Sequence, residues 1–283
     1  MKTRGVRAIE VGENRGFAAA SNIGARETDG DAIFFLNSDT QLDRRCLKAL
    51  AAALQDHPQY GFFAPKMVSM ADRGLLEGAG DLIPKDGRPI KRAAGMSTAT
   101  PLDPEIISPS GGAALWRREL FKSLNGFDED FFAYLEDVDL GLRARLMGAA
   151  GLYVPGAVVY HLGGGVGRAR LEGQTTETPG LKAALDRADV VRLVARNKIW
   201  LWAKCFPAAI IIRHALHLAL GLIKSAAYHT LLSGQSAAFF KGTIEGLAGL
   251  PAMIKKRYII QSTKIVTDRE VEEWIKRASL SLW

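Results

Sequence analysis

The chain has 283 residues, of which 48% are hydrophobic and 24% charged; this is enough apolar content for a full core and excludes a disordered polypeptide. Its two cysteines, Cys46 and Cys205, are far apart and in apolar surroundings, which excludes a disulfide framework or a cysteine-based zinc site and fits a reducing compartment. The net charge of +7 is concentrated, because residues 196–283 hold 13 Lys and Arg against 5 Asp and Glu while residues 1–195 are nearly neutral.

The N-terminal stretch "MKTRGVRAIEVGENRG" is basic but has no apolar run behind it, so no secretory signal is read there. "RAIEV" (7–11) and "AIFFL" (32–36) predict buried strands, separated by a Gly- and Asn-punctuated turn and a short helix. In "DRRCLKALAAALQDHP", Leu47, Leu50, Ala51 and Leu54 share one helical face, with Asp43 as the expected N-cap and Pro58 as terminator. "YGFFAP" (60–65) predicts a strand, and the DG pair in "PKDGRP" (84–89) a hairpin outside the main sheet. "GGAALW" (111–116) predicts a strand leading into the helix "RRELFKSLNG", with Gly126 just past its end.

Residues 128–139 then gather six carboxylates, Asp128, Glu129, Asp130, Glu136, Asp137 and Asp139, around an aromatic cluster. The helix expected after them carries Val138, Leu142 and Leu146 on one stripe, an Asp139–Arg143 pair and Gly148 as a stop. "GLYVPGAVVYHLGGG" supplies one or two strands ending at His161, and residues 163–180, rich in Gly and Thr, read as a mobile segment. The first two-thirds therefore read as an α/β domain over residues 1–195.

From residue 196 the character changes to a helical tail, 196–283, which holds four of the five tryptophans. Arg213, His217 and Lys224 share one narrow face of an otherwise apolar helix. Polar residues interrupt every candidate span of about 20 residues, so a helix lying in the membrane interface is favoured over a crossing. "CFPAAIIIRHALHLALGLI" is too apolar to line a nucleic-acid groove, and an anionic membrane surface is the expected partner, held by residues 199–257. The last helix is signposted by a capping box, Thr267 with Glu270, and a staple, Val266 with Val271.

Ligands of α/β sheets bind beyond the carboxyl ends of strands. "FFLNSDT" puts Asn37, Ser38 and Asp39 at such an end, where Asp39 either presents a carboxylate to a divalent cation or merely caps a turn. Asn14, Gly16 and Asn22 in "ENRGFAAASNIG" either bring backbone N–H groups to a phosphate or base, or only shape turns. His161 is either a metal ligand or a structural histidine.

Taken together, "ENRGFAAASNIG", "FFLNSDT", "GGAALWRRELFKSLNGFDEDFFAYLEDVDLGLR" and "YHLGG", in this order and spacing, resemble family 2 glycosyltransferases of the GT-A fold. Within that family they are most similar to bacterial rhamnosyltransferase-like members that build surface polysaccharides. The resemblance implies a GT-A mixed sheet flanked by helices and inverting transfer from a nucleoside-diphosphate sugar to a glycan or lipid-linked acceptor at the cytoplasmic face of the membrane. It implies that Asn14, Gly16, Asn22, Asn37 and Asp39 face the nucleotide sugar, that Asp39 and His161 hold Mg2+ or Mn2+, and that Asp137 is the general base. Glu136 would orient the acceptor or the base. Phe131, Phe132 and Tyr134 would wall the acceptor pocket, with core packing the expected role of at least one of them.

The family pattern begins before this chain does, so an N-terminally truncated domain lacking one to two βαβ units of the nucleotide half is expected. A non-catalytic, membrane-associated binding or assembly subunit is the alternative function. A nucleotidyltransferase is a third reading, but the basic Gly-rich triphosphate loop it calls for is not visible.

Overall fold

The computed structural model describes residues 6–162 and 186–280; the Gly- and Thr-rich stretch 163–180 lies outside them. Nine strands and ten α-helices stand among the described residues. The main sheet runs in the order β1 (Ala32–Leu36), β8 (Ala113–Arg117), β3 (Tyr60–Ser69), β9 (Ala150–His161) and β2 (Thr40–Leu42). β4 (Leu76–Gly78) is added beside β3, and β7 (Glu105–Ile106) beside β9. Only β3 and β9 pair in parallel; the other ladders are antiparallel. β5 (Asp81–Leu82) and β6 (Ile90–Lys91) form the separate hairpin that the DG pair predicts.

Alternating side chains of the central strands fill two cores, as the period of a half-buried strand requires. Ile33, Phe35, Phe62, Ala64, Ala114 and Trp116 face α1 (Gly16–Arg26), α3 (Arg118–Ser123) and α4 (Glu136–Leu146). Phe63, Met67, Ala113, Leu115, Leu152 and Val154 face α2 (Cys46–Asp56). The α/β class and mixed sheet read from the sequence are thus the observed ones.

Three local readings are corrected. Residues 7–11 form no strand, because they find no ladder to join, and a short apolar run without a partner does not hold a strand. The α2 N-cap is Arg45 rather than Asp43, whose carboxylate instead accepts the Arg45 N–H at 2.9 Å. The buried stripe of α2 is Cys46, Leu50 and Ala53, one step round from the expected face, which leaves Leu47 exposed.

The helical region begins at Arg187 and is docked on the α/β unit. α5 (Arg187–Cys205) packs against α4 and carries α8 (Ser236–Ala248) and α9 (Leu250–Ser262) on its other sides. α6 (Ala208–Arg213), α7 (Ala215–Leu231) and α10 (Asp268–Leu280) complete it, and α10 reaches back to α6 and β5. The capping box forms as expected: the Thr267 N–H and hydroxyl donate to Glu270 Oε2 at 2.7 and 2.8 Å, and Glu270 N–H donates to Thr267 Oγ1 at 3.2 Å. No described helix is long and apolar enough to cross a membrane.

Candidate active site

Sheet topology brings the chemistry to one edge. β1 and β3 both run antiparallel to β8, and β9 runs parallel to β3, so Asn37–Asp39 after β1, His161 at the end of β9 and Gly111–Gly112 before β8 share that edge. A cavity of about 420 Å³ opens there. Its walls include Asn37, Asp39, His161, Gly111, Tyr134, Glu136 and Asp137, together with Asp81 and Lys91 from the β5–β6 hairpin. Of the residues singled out in the sequence, Asn37, Asp39, Glu136, Asp137 and His161 are brought together.

Asn14, Gly16 and Asn22 do not line this cavity, and Asn22 is corrected to an internal brace. It is buried, donates to the Phe127 carbonyl at 2.9 Å and to Glu129 Oε1 at 3.1 Å, and accepts the Phe127 N–H at 2.9 Å. Gly16, at φ +80°, lets α1 begin against the Phe132 carbonyl, which a Cβ there would meet at 2.3 Å. Asn14 accepts the Gly16 N–H at 3.0 Å, shaping that turn.

The acidic cluster divides by function. Asp139 pairs with Arg143 at 2.8 Å, as its helical spacing predicts, and also with Lys204 at 2.7 Å. Asp128 meets Lys204 and Lys256, each at 2.5 Å, and Asp130 meets Lys256 at 2.7 Å. These acids anchor the C-terminal helices. Burial alone would raise Asp128, but the two ammonium groups outweigh it and hold its carboxyl at about 2.

Glu136 and Asp137 instead open α4 at the cavity wall, in its first turn, where the helix dipole favours an anion. The turn before them is strained: Phe132, Tyr134 and Leu135 all have positive φ, +63°, +70° and +68°. Buried Asn197 of α5 clamps it, its amide donating to the carbonyls of Phe131, Ala133 and Tyr134 at 3.0, 3.0 and 2.7 Å. Phe131 is core rather than pocket wall, stacked edge-on against Trp200.

Three carboxyls face one another here, and their surroundings decide which is ionised. Asp81 is pushed up to about 8, first by burial and then by the charge of Asp137, although Ser108 donates to it at 2.9 Å. Glu136 is raised by burial and by Asp137, and its Oε2 is buried with no hydrogen-bond partner. Asp137 is also raised by burial, but its anion is opposed to that shift by the N–H groups of Gly111 at 2.6 Å and Val138 at 2.8 Å. Of the three, Asp137 is the one whose anion two backbone N–H groups meet, whereas burial and the neighbouring Asp137 charge favour the protonated forms of Asp81 and Glu136.

Across the cavity, His161 Nε2 stands 3.1 Å from Asp39 Oδ1. Its Nδ1 is hydrogen-bonded to Glu77 Oε2, and that bond, working against burial, holds the imidazole above its ordinary pKa. Glu77 is in turn lowered, since its bonds to His161 and Lys91 exceed the effect of its burial. Among the described residues, no group of three or more His, Cys, Asp or Glu is placed to hold a metal ion. The Asp39–His161 pair does fit two corners of one: cis ligands about 2.1 Å from an octahedral ion lie about 3.0 Å apart. An ion held by two protein groups would complete its shell from diphosphate oxygens and water, the usual habit of Mg2+.

Sequence reasoning missed Glu77, Asp81, Lys91 and Asn197. Glu77 and Asp81 left one faint signal, two acids set in the apolar, Gly-rich run "LEGAGDLI" (76–83).

Residues 2–124 match the family model described as Glycosyl transferase family 2. A curated relative, the N-acetylglucosaminyl-diphospho-decaprenol L-rhamnosyltransferase of Mycobacterium tuberculosis, is 30% identical over 181 residues, covering 55% of this chain and 58% of that one. The O-antigen biosynthesis protein RfbC of Myxococcus xanthus is 30% identical over 141 residues, covering 47% of this chain and 11% of its own length. The chain thus spans 58% or less of these two relatives. Among solved structures, S. aureus TarS 1-349 in complex with UDP-GlcNAc is 14% identical with a TM-score of 0.47, covering 95% of this chain and 72% of that one. Over residues 2–124, then, the chain is similar to glycosyl transferase family 2, and both curated relatives are similar to it over about half of its length.

Proposed function

We propose that this chain transfers a sugar from a nucleoside-diphosphate sugar to a glycan or lipid-linked acceptor in cell-surface polysaccharide synthesis, with inversion at the anomeric carbon. The observation that carries the reading is that one cavity holds both Asp137, its carboxyl met by two backbone N–H groups, and the Asp39–His161 pair. Asp137 takes the proton of the acceptor hydroxyl as its oxygen bonds to the anomeric carbon. The bond from that carbon to the diphosphate breaks on the opposite face, and the diphosphate leaves with the electron pair. Asp39 and His161 would hold Mg2+ or Mn2+, which when bound offsets charge on the diphosphate. Burial favours the protonated forms of Glu136 and Asp81, which in that form can donate hydrogen bonds to sugar or acceptor oxygens without adding negative charge beside the leaving group.

Membrane-surface association belongs to the same reading. Large apolar side chains stand exposed along α6 to α9, among them Ile212, Leu216, Leu231, Ile244 and Tyr258. An interfacial helix pack of this kind would bring the cavity to a lipid-linked acceptor.

The test is transfer by the purified chain from a panel of nucleoside-diphosphate sugars. Asp137→Asn is expected to lower kcat by about 10²- to 10⁴-fold, the usual weight of a general base. Glu136→Gln, which keeps a hydrogen-bonding group of the same shape, is expected to stay within about 10-fold, below that range. Full activity in Asp137→Asn would reject the assignment, and absence of both turnover and nucleotide binding in the parent chain would favour the non-catalytic subunit.

A further inference from the structure

We propose that Glu77 is a positioning residue that fixes the His161 ring so that Nε2, and not Nδ1, is presented beside Asp39 as a cation donor. The inference rests on the reading of Asp39 and His161 as the cation pair and goes beyond it, because Glu77 itself touches neither substrate nor ion.

The sequence of causes starts in the sheet. β4 pairs with β3 through Met67 opposite Gly78 and Val68 opposite Leu76, with a register shift between those two pairs. Glu77 is therefore the extra residue of a β-bulge, a device that re-aims a side chain out of the normal alternation. β3 also pairs with β9, with Ser69 opposite His161. The re-aimed carboxylate thus reaches over β3 to the end of β9.

At that end its two oxygens are divided between two partners. Lys91 of β6 donates to Oε1, and His161 Nδ1 meets Oε2. An ionised carboxylate only accepts, so Nδ1 must carry a hydrogen. In the neutral ring the lone pair then belongs to Nε2, the atom 3.1 Å from Asp39 Oδ1. Two acceptors facing each other at that distance repel unless a positive species lies between them: the second proton of the imidazolium does so in the charged ring, and a divalent cation does so in the neutral one. A carboxylate behind a metal-ligating histidine commonly sets its tautomer and basicity in this way. Lys91 keeps Glu77 from swinging into the cavity, where it would compete for the ion.

The test uses the full chain with Mn2+ alone as probe, free Mn2+ being followed by electron paramagnetic resonance. Parent, Glu77→Ala, Glu77→Gln and Asp39→Ala are compared. Glu77→Ala is expected to weaken Mn2+ binding by about 10- to 100-fold, the usual weight of such an outer partner. Glu77→Gln, whose amide oxygen still accepts the Nδ1 hydrogen, is expected to lose less. In the metal-free chain, above the pH at which the ring loses its charge, ¹⁵N spectra should show the Nδ1–H tautomer of His161 in the parent and in Glu77→Gln, and the Nε2–H tautomer in Glu77→Ala. If Glu77→Ala fails to fold, the Glu77→Gln affinity and the parent tautomer decide. Undiminished Mn2+ affinity in Glu77→Ala, or an Nε2–H ring in the parent, overturns the role of Glu77 while leaving the cation pair standing. Failure of the parent to bind Mn2+ at all overturns the cation pair, and this inference with it.

Discussion

Asn197, on α5, donates its side-chain amide to the Tyr134 carbonyl at 2.7 Å, across a sequence separation of 63 residues. The same amide reaches the carbonyls of Phe131 and Ala133. The turn it clamps holds three non-glycine residues at positive φ, each costing about 1–3 kcal/mol, and ends two residues before Asp137. The helical region therefore helps to hold Asp137 at the cavity wall.

Loss of that clamp has a predictable result. Asn197→Ala removes the amide donor of the Ala133 and Tyr134 carbonyls, while the Phe131 carbonyl keeps the Ala133 N–H and Arg196, and a destabilisation of about 1–3 kcal/mol is expected, two hydrogen bonds at about 1 kcal/mol each plus desolvated acceptors. Asn197→Asp should be worse, since an acceptor-only carboxylate would face those carbonyls. Urea denaturation measures the loss, and amide hydrogen exchange at residues 131–137 localises it. Parent-like exchange there in Asn197→Ala would mean that the turn holds itself.

Lys204, with 2% of its side chain exposed, bridges Asp128 and Asp139 from α5, and its removal leaves buried carboxylates short of a counter-charge. Lys204→Met is expected to cost about 3–5 kcal/mol, the range for breaking one side of a buried ion pair. The pH dependence follows from Asp128, whose folded pKa is about 2 against the ordinary 3.8. A depressed carboxyl stabilises the fold above its unfolded pKa and loses that contribution as pH falls through the folded value. Between pH 5 and pH 2 the parent should lose about 2 kcal/mol that Asp128→Asn does not. Denaturation midpoints at the two pH values decide it.

Asp81 carries the opposite sign. Its folded pKa is pushed up to about 8, so its stabilising contribution is complete below the unfolded pKa near 4 and declines as pH rises toward the folded value. Asp81→Asn keeps the shape and the link to Ser108 without the charge. The variant is expected to be more stable than the parent at pH 7.5, by about 1 kcal/mol or more, with the difference closing near pH 4. Asp137→Asn should also lower the Asp81 titration seen by carboxyl ¹³C shifts, because the Asp137 charge is one cause of its rise. An unmoved Asp81 titration would show that burial alone sets it.

Much of this was legible in the sequence where the signal is local. "AIFFL" and "YGFFAP" are strands, the DG pair makes its hairpin, and the Asp139–Arg143 spacing gives its ion pair. What escaped depends on distant partners. "RAIEV" has the short apolar run of a strand but joins no ladder among the described residues, and the Asn in "VARNKIWLW" carries no sign of carbonyls more than 60 residues away. Glu77 is re-aimed by a bulge that only the β3 ladder creates. The basic excess of the tail was read as facing a membrane, yet Lys204, Lys256, Arg196 and Arg257 turn inward to acids and carbonyls.

That inward turn changes how membrane association is to be tested. Removing residues 199–257 would strip Leu201, Trp202 and Lys204 from the interior, so loss of pelleting would follow from unfolding alone. Surface substitution separates the two effects. Ile212, Leu216 and Ile223 are 75%, 69% and 63% exposed along α6 and α7, beside exposed Arg213. Each such side chain contributes about 1.5–3 kcal/mol when fully buried in an apolar phase. Replacing all three by Ser should leave the denaturation midpoint within a few tenths of a kcal/mol, as surface changes usually do. It should also move the chain from the floated to the soluble fraction with vesicles containing phosphatidylglycerol. Raised salt should weaken flotation of the parent, since basic residues next to the apolar face contribute electrostatically. A triple variant that floats as well as the parent would show that this face does not meet the bilayer.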